Sequence, residues 1–135
     1  RDCFDEVMAD IEPRLGLGRP VFLYDYPAAL GALARLKTED PDLAERFELY
    51  MGGLEMANAF SELIDAGEQR RRFEAANLQR RLGGCSAYPM PETFLEALSR
   101  MPASAGIALG VDRLAMILAD RARIDDVVAF TPEFL

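Results

Sequence analysis

Residues 45–51 alternate as a strand does and then run into two glycines. Phe47, Leu49 and Met51 fall on one side of the chain, Glu48 and Tyr50 on the other. Gly52-Gly53 supplies the positive-φ pair of a two-residue hairpin turn, and the chain returns from Leu54 to about Leu63. So short a turn fixes the register. Met51 faces Leu54, and Tyr50 faces Glu55. Glu48, Tyr50 and Glu55 then share a face, with the two carboxylates diagonal, roughly 7–8 Å apart at the backbone. No Lys or Arg stands across the hairpin from them. Like charges so placed repel unless water or a cation lies between them, and a magnesium ion carrying nucleotide phosphates would serve. Taken alone, the same carboxylates also read as solvated side chains of an amphipathic hairpin.

Asn58 and Glu62 have the opposite parity to Glu55. A perfect ladder would turn them to the other face, beside Phe60, where a charged Glu62 against apolar neighbours would be expensive. A β-bulge between Glu55 and Asn58 is therefore predicted, returning both residues to the carboxylate face. There Glu62 is available to a ligand ammonium, and Asn58 can hydrogen-bond a ligand with either end of its amide.

A second segment, Gly106-Ile107-Ala108-Leu109-Gly110-Val111-Asp112-Arg113-Leu114, reads as a buried strand (Ala105 to Val111) running into a helix that Asp112 opens and that lasts to about Ala119. Gly106 and Gly110 permit close approach to the backbone. Arg113 reads either as a helix-surface arginine or as a guanidinium stacked on a flat ligand or bonded to its phosphates, with stacking worth about 1–2 kcal/mol in a partly dry site. The glycine spacing matches neither a dinucleotide-binding fingerprint nor a Walker loop.

The remaining elements are short. Phe4, Val7, Met8 and Ile11 give a helix over residues 4–12, which Pro13 and the Gly16–Pro20 segment break. Val21 to Tyr26 is a strand ending at Pro27. Ala28 to Lys37 is expected to be mostly loop with one helical turn, and residues 38–42 form a turn. Asp65 caps a helix that runs to Leu82 and closes at Gly83-Gly84. Pro91 starts another, to about Met101, with Phe94, Leu95 and Leu98 as its inner face. Val127 to Phe130 is a last short strand or an extended tail.

Composition narrows the chemistry. The 135 residues are one domain or part of one, and with half of them apolar they can build a core. No apolar run is long enough to span a membrane, and the N-terminus lacks the basic and apolar regions of a signal peptide. The first residue is Arg1 rather than Met, which points to a processed or partial chain. Cys3 and Cys85 belong to no motif; one disulfide between them is open, but they read better as two free thiols of an intracellular protein. There is no His, so a bound metal should be a hard cation such as magnesium or manganese on carboxylates. A net charge of −8 makes a poor surface for a phosphate backbone. Arg70, Arg71, Arg72, Arg80 and Arg81 cluster, but Glu68 and Glu74 interleave with them, and they read as a solvated helix face.

The two informative segments together resemble the C-terminal half of a class II aminoacyl-tRNA synthetase catalytic domain, of the lysyl-tRNA synthetase family. The 105–119 region is similar to that family's motif 3, and the hairpin over 45–63 to its lysine-branch signature. The resemblance implies an α+β fold, an antiparallel sheet flanked by helices, across residues 1–135. It implies that Glu48 and Glu55 bind magnesium and ATP, that Gly106 and Gly110 border the ATP, and that Arg113 is the catalytic arginine that holds it. Asn58 and Glu62 would line the pocket for the amino acid, with Glu62 facing its side-chain ammonium. Tyr26-Pro27-Ala28, Thr38-Glu39-Asp40, Ala44–Glu48 and Ala108 resemble most the branch that attaches lysine or β-lysine to a lysine of elongation factor P. Lysyl-tRNA synthetases tend to carry Gly where Ala108 stands, and one methyl in a substrate pocket is worth about 1–3 kcal/mol of discrimination. Ala59 departs from the Gly usual in both groups, and Ser61 matches the synthetases better.

The resemblance thus implies a cytoplasmic ATP-dependent ligase, homodimeric in its full-length form, with elongation factor P or tRNA as acyl acceptor. A lysyl-tRNA synthetase fragment and a non-catalytic remnant of a synthetase are the other readings. Motifs 1 and 2 are not found in these 135 residues, and with them the arginine that contacts the α-phosphate. The chain alone is therefore expected not to activate an amino acid, and an edge of its sheet is expected to be exposed or covered by a partner.

Overall fold

Local signals set most of the boundaries in the computed structural model, which describes residues 2–131 and, of these, side chains from Phe4 onward. Helix α1 (Asp2–Ile11) passes into a 3-10 turn at Glu12–Arg14, with Pro13 inside it. Strand β1 covers Val21–Pro27, β2 Leu43–Met51, β3 Leu54–Ser61 and β4 Ala105–Leu109. Helices α2 (Ala66–Leu82), α3 (Glu92–Leu98) and α4 (Val111–Ala119) complete an α+β fold. The antiparallel sheet has the order β1-β2-β3-β4, so β1 and β4 are its edges.

The chain divides into two compact units. The first holds residues 2–26, 46–59 and 107–131, the second residues 27–45 and 60–106. In the first, Met8, Tyr26, Tyr50, Met56, Ala57, Ala59 and Met116 are buried. Phe4 packs on Tyr26 at 5.7 Å between ring centroids, and Phe22 meets Phe47 edge-on at 5.5 Å. The hairpin turn is anchored within this unit. Gly52 and Gly53 both have positive φ, and their amides donate to the carbonyls of Gly16 and Leu15.

In the second unit the core is Ala34, Ala44, Leu63, Leu95 and Leu98. Ala28–Leu30 forms the one helical turn, and Ala34 and Leu36 make isolated bridges to Glu62 and Ala44. Asp65 caps α2 by accepting from the Glu68 amide, and Gly84 takes positive φ beyond its end. The arginines of α2 are largely committed. Arg70 pairs with Glu92, and Arg71 and Arg72 with Glu68; Arg72 also donates to the carbonyls of Ala32 and Ala34. Arg80 lies over the Tyr88 ring at 3.9 Å. The cluster is a structural face, as its interleaved carboxylates suggest.

Four expectations are corrected. Strand β4 is not buried: all five of its residues are exposed, Ile107 by 64%, because at this edge of the sheet neither face of the strand is covered. Helix α3 ends at Leu98; single turns close Arg100 on Ala97 and Met101 on Leu98, and Pro102 bars continuation. Phe94 is exposed rather than inward, touching Phe73 at 6.1 Å. Neither strand nor extended tail forms at 127–130, where the amides of Val127 and Val128 both turn back to the Ile124 carbonyl. Cys85 is a free, exposed thiol; the Cys3 side chain lies outside the described residues.

A Cβ built on Gly53 would stand 2.7 Å from the Pro13 carbonyl oxygen, at φ +76. Gly53→Ala is therefore expected to destabilise the protein by at least about 1–2 kcal/mol, the cost of left-handed backbone alone. Urea unfolding of variant and parent measures it; equal midpoints would show that the turn does not bear on stability.

Candidate functional site

The hairpin carries the parity change that the sequence called for. Its two-residue turn sets Tyr50 against Glu55, an even position against an odd one. Further along, Asn58 bonds to Glu48 at 3.3 Å, even to even, and Glu45 bonds to Ser61, odd to odd. One additional residue on β3 between Glu55 and Asn58 accounts for the shift. Adjacent Met56 and Ala57 are both buried, as the shift requires.

The face so assembled in the first unit is the inside of the strand pair. Glu48 is only 7% exposed and Tyr50 is fully buried, while Phe47, Leu49 and Met51 are half-buried. Glu48 is not a solvated carboxylate, and four donors compensate its burial. The hydroxyls of Tyr26 and Tyr50 each donate to Oε2 at 2.6 Å. Arg46 and the Asn58 amide donate to Oε1. The cation absent across the hairpin thus arrives along the same strand, two residues before Glu48. Arg46 also lies over the Tyr26 ring at 4.4 Å and donates through Nε to Asn58 Oδ1 at 3.3 Å. Arginine only donates and a carboxylate only accepts, so the Asn58 amide has one orientation. One N–H and one lone pair of that amide remain for a ligand. Burial, and then the bond to Glu48, push both phenol pKa values well up, which holds the hydroxyls as donors.

Tyr26, Tyr50 and Arg46 were not assigned to the site from the sequence. Arg46 and Glu48 share strand parity, a signal that was available. Tyr26 lies 22 residues from Glu48 and carried none. Glu12 is a further member: its carboxylate lies 3.3 Å from the Tyr50 hydroxyl and adds negative charge near Glu55.

Glu55 has a looser environment, with its side chain 38% exposed. Burial, and then the charge of Glu48, raise its pKa, while Arg113 opposes them. Arg113, at the start of α4, donates to the Glu55 main-chain carbonyl and stands 4.0 Å from its carboxylate. Gly110 precedes α4 and donates its amide to the Met56 carbonyl, tying the helix start to β3. A Cβ on Gly110 would press on the Arg113 side chain at 3.3 Å. Within this unit, then, Glu48, Glu55, Asn58, Gly110 and Arg113 are brought together. Ala108 is on the exposed strand β4.

In the second unit Glu62 and Gly106 are partners. The Glu62 amide donates to the Ser104 carbonyl, and a Cβ on Gly106 would come within 2.9 Å of Glu62 Oε1. The room at Gly106 is thus occupied by the chain's own carboxylate. This unit also has a shallow cavity of about 260 Å³ between α2 and the loop after it, lined by Glu74, Asn77, Leu78, Arg81, Tyr88 and Met90. None of the expected site residues lines it.

Among the described residues no three His, Cys, Asp or Glu side chains form a metal cage. Magnesium takes one or two carboxylates and completes its shell with water and substrate phosphates; Glu55 is open to it, whereas Oε1 of Glu48 would have to exchange Arg46 or Asn58 for the ion. Crowded negative charge on Glu55 is what such an ion would relieve.

Comparison with known proteins gives one family match and several close relatives. The family of class II tRNA synthetases (D, K and N) matches residues 10–133. The Elongation factor P--(R)-beta-lysine ligase of Edwardsiella ictaluri is 49% identical over 122 residues, which are 90% of this chain and 38% of that protein. Its namesake in Proteus mirabilis is 48% identical over 124 residues, 91% of this chain and 38% of that one. In Hamiltonella defensa the figures are 44% over 136 residues, 98% and 42%. The chain therefore spans about two-fifths of the length of these relatives.

The raised pKa of Glu55 carries a signed consequence. Its ionised form is costlier in the fold than in an open chain. That cost is absent below the ordinary carboxylate range, about pH 4, and grows as pH rises through the raised value. Glu55→Gln removes it. The ligand-free variant should melt above the parent at neutral pH, with the difference fading as pH falls toward 4; a difference that persists in acid would contradict this origin.

Proposed function

This chain belongs to the class II tRNA synthetase family (D, K and N), and on that premise we propose that it forms the C-terminal part of a ligase domain. That domain activates lysine or β-lysine with ATP and transfers it to a lysine of elongation factor P, in the cytoplasm and as a homodimer. The observation that carries this reading is the anionic face of the first unit, where half-exposed Glu55 stands beside the guanidinium of Arg113 and within reach of the charge of buried Glu48. The names of the close relatives support the choice of substrate and acceptor.

In this reading the carboxylate oxygen of the amino acid attacks the α-phosphorus of ATP. The bond to pyrophosphate breaks and an aminoacyl-adenylate forms. The acceptor amine then attacks the acyl carbon, AMP leaves, and the amine proton is released. None of the assigned residues acts as a covalent nucleophile; their work is positioning and charge stabilisation. Magnesium, when bound, would supply charge neutralisation on the phosphates, held by Glu55 and by Oε1 of Glu48 once that oxygen gives up one of its present donors. Arg113 leaves the Glu55 carbonyl to clamp the nucleotide beside Gly110. Glu62 pairs with the ammonium of the amino acid, and Asn58 offers its remaining N–H and lone pair. Ala108 discriminates between amino acids through one methyl group.

A lysyl-tRNA synthetase is the second reading, favoured by Ser61, which matches the synthetase form of the signature. Acyl transfer to tRNA rather than to elongation factor P would select it. A non-catalytic remnant would give no reaction at all.

The test is amino-acid-dependent exchange of pyrophosphate into ATP by the full-length protein with magnesium. Lysine or β-lysine should support exchange, and its absence would reject the ligase reading. Glu62→Ala should raise the KM for the amino acid by about 30-fold or more, the scale of a broken buried charge pair, and leave ATP binding nearly unchanged. Gly106→Ala, which crowds the same carboxylate, should do so more weakly. Equal losses for both substrates would reject the role given to Glu62.

A further inference from the structure

Burying Glu48 is not what stability alone would select. Burying a carboxylate with its partners is at best neutral against an apolar core of equal volume. Yet two phenols, a guanidinium and an amide converge on this one group and take up both of its oxygens. Delivering Tyr26 also distorts β1. Asp25 has φ +63, inside a strand, where a non-glycine residue rarely goes. A flat strand would give Tyr24 and Tyr26 one face and one environment; instead Tyr24 is 70% exposed and Tyr26 only 4%. Strain kept beside a polar cluster is the pattern of a site that must hold one geometry.

We propose that Tyr26 and Tyr50 are positioning residues, which clamp Oε2 of Glu48 between two hydroxyls so that its carboxylate and the Asn58 amide bonded to it keep a single orientation for the magnesium–nucleotide. This rests on the nucleotide reading of the hairpin face. The phenols touch no substrate and act only through Glu48. The single O–H of Tyr50 is committed to Glu48 at 2.6 Å, with the Glu12 carboxylate 3.3 Å from the same hydroxyl.

The experiment uses the full-length protein and measures magnesium–ATP binding by calorimetry, without amino acid, beside the melting temperature without ligands. Tyr26→Phe and Tyr50→Phe keep the rings that fill the core and remove one donor each. Each is expected to weaken binding on the order of tenfold, the scale of one charge-assisted hydrogen bond. In exchange assays the KM for magnesium–ATP should rise with kcat retained at saturation. Acting through Glu48 has its own signature: in a Glu48→Gln background the Tyr26→Phe loss should vanish. Asp25→Gly, which adopts positive φ without strain, should bind like the parent, and Asp25→Val should bind like Tyr26→Phe. Phenylalanine variants that melt lower but bind magnesium–ATP as the parent does would overturn the proposal, as would losses that add fully to that of Glu48→Gln. A parent that binds no magnesium–ATP would instead sink the nucleotide reading beneath it.

Discussion

A buried carboxylate organises the first unit. Leaving Glu48 charged away from water would cost several kcal/mol without compensation, so the chain must bring donors to it from several places. Arg46 comes from the same strand, Asn58 from the opposite one, Tyr50 from the next inward position, and Tyr26 from the neighbouring edge strand. Each arrival demands a local irregularity or a fixed register. Asn58 needs the parity shift on β3, Tyr26 needs the left-handed Asp25, and the pairing of Tyr50 with Glu55 needs the Gly52-Gly53 turn with its ties to Leu15 and Gly16. The irregular features of the strands are consequences of one electrostatic requirement.

Glu55 shows the complementary condition. It shares the neighbourhood of Glu48 and Glu12 but has no comparable set of donors among the described residues, and Arg113 reaches its main-chain carbonyl more closely than its carboxylate. The face therefore combines one anion satisfied by the protein with another that is not. A cation bringing its own phosphate ligands suits such a face better than a free metal ion, which would ask the protein for more oxygen ligands than these residues offer.

What the sequence made legible was local. The glycine pair, the Asp65 cap and the Gly83-Gly84 terminus each act through neighbours a few residues away, and each lies where the pattern put it. Even the parity shift was legible, since an unshifted Glu62 would have faced apolar neighbours. Alternation on β2 correctly grouped Glu48 with Tyr50, but it could not say which group faces inward. A period of two sorts residues onto faces, and only tertiary partners decide which face is covered. Tyr26 and its strained neighbour Asp25 were illegible for the same reason. Strand β4 erred the other way: its apolar run expresses what the strand suits, while both of its faces are uncovered and leave Ile107 and Leu109 exposed.

The glycines of the late strand and helix carry the most general lesson. Gly106 and Gly110 invite the reading that a ligand approaches the backbone there. In the structure the space beside Gly106 is taken by the Glu62 carboxylate, and that beside Gly110 by the Arg113 side chain. These are the two side chains the proposed reaction assigns to the amine and to the nucleotide. A missing Cβ can thus serve recognition at one remove, by letting a long charged side chain lie flat against the backbone instead of standing off it. Lying flat restricts its rotamers before any ligand arrives, and that reduces the entropy lost on binding. The glycine spacing is then a statement about where charge is held, which is why it carries meaning only together with Glu62 and Arg113.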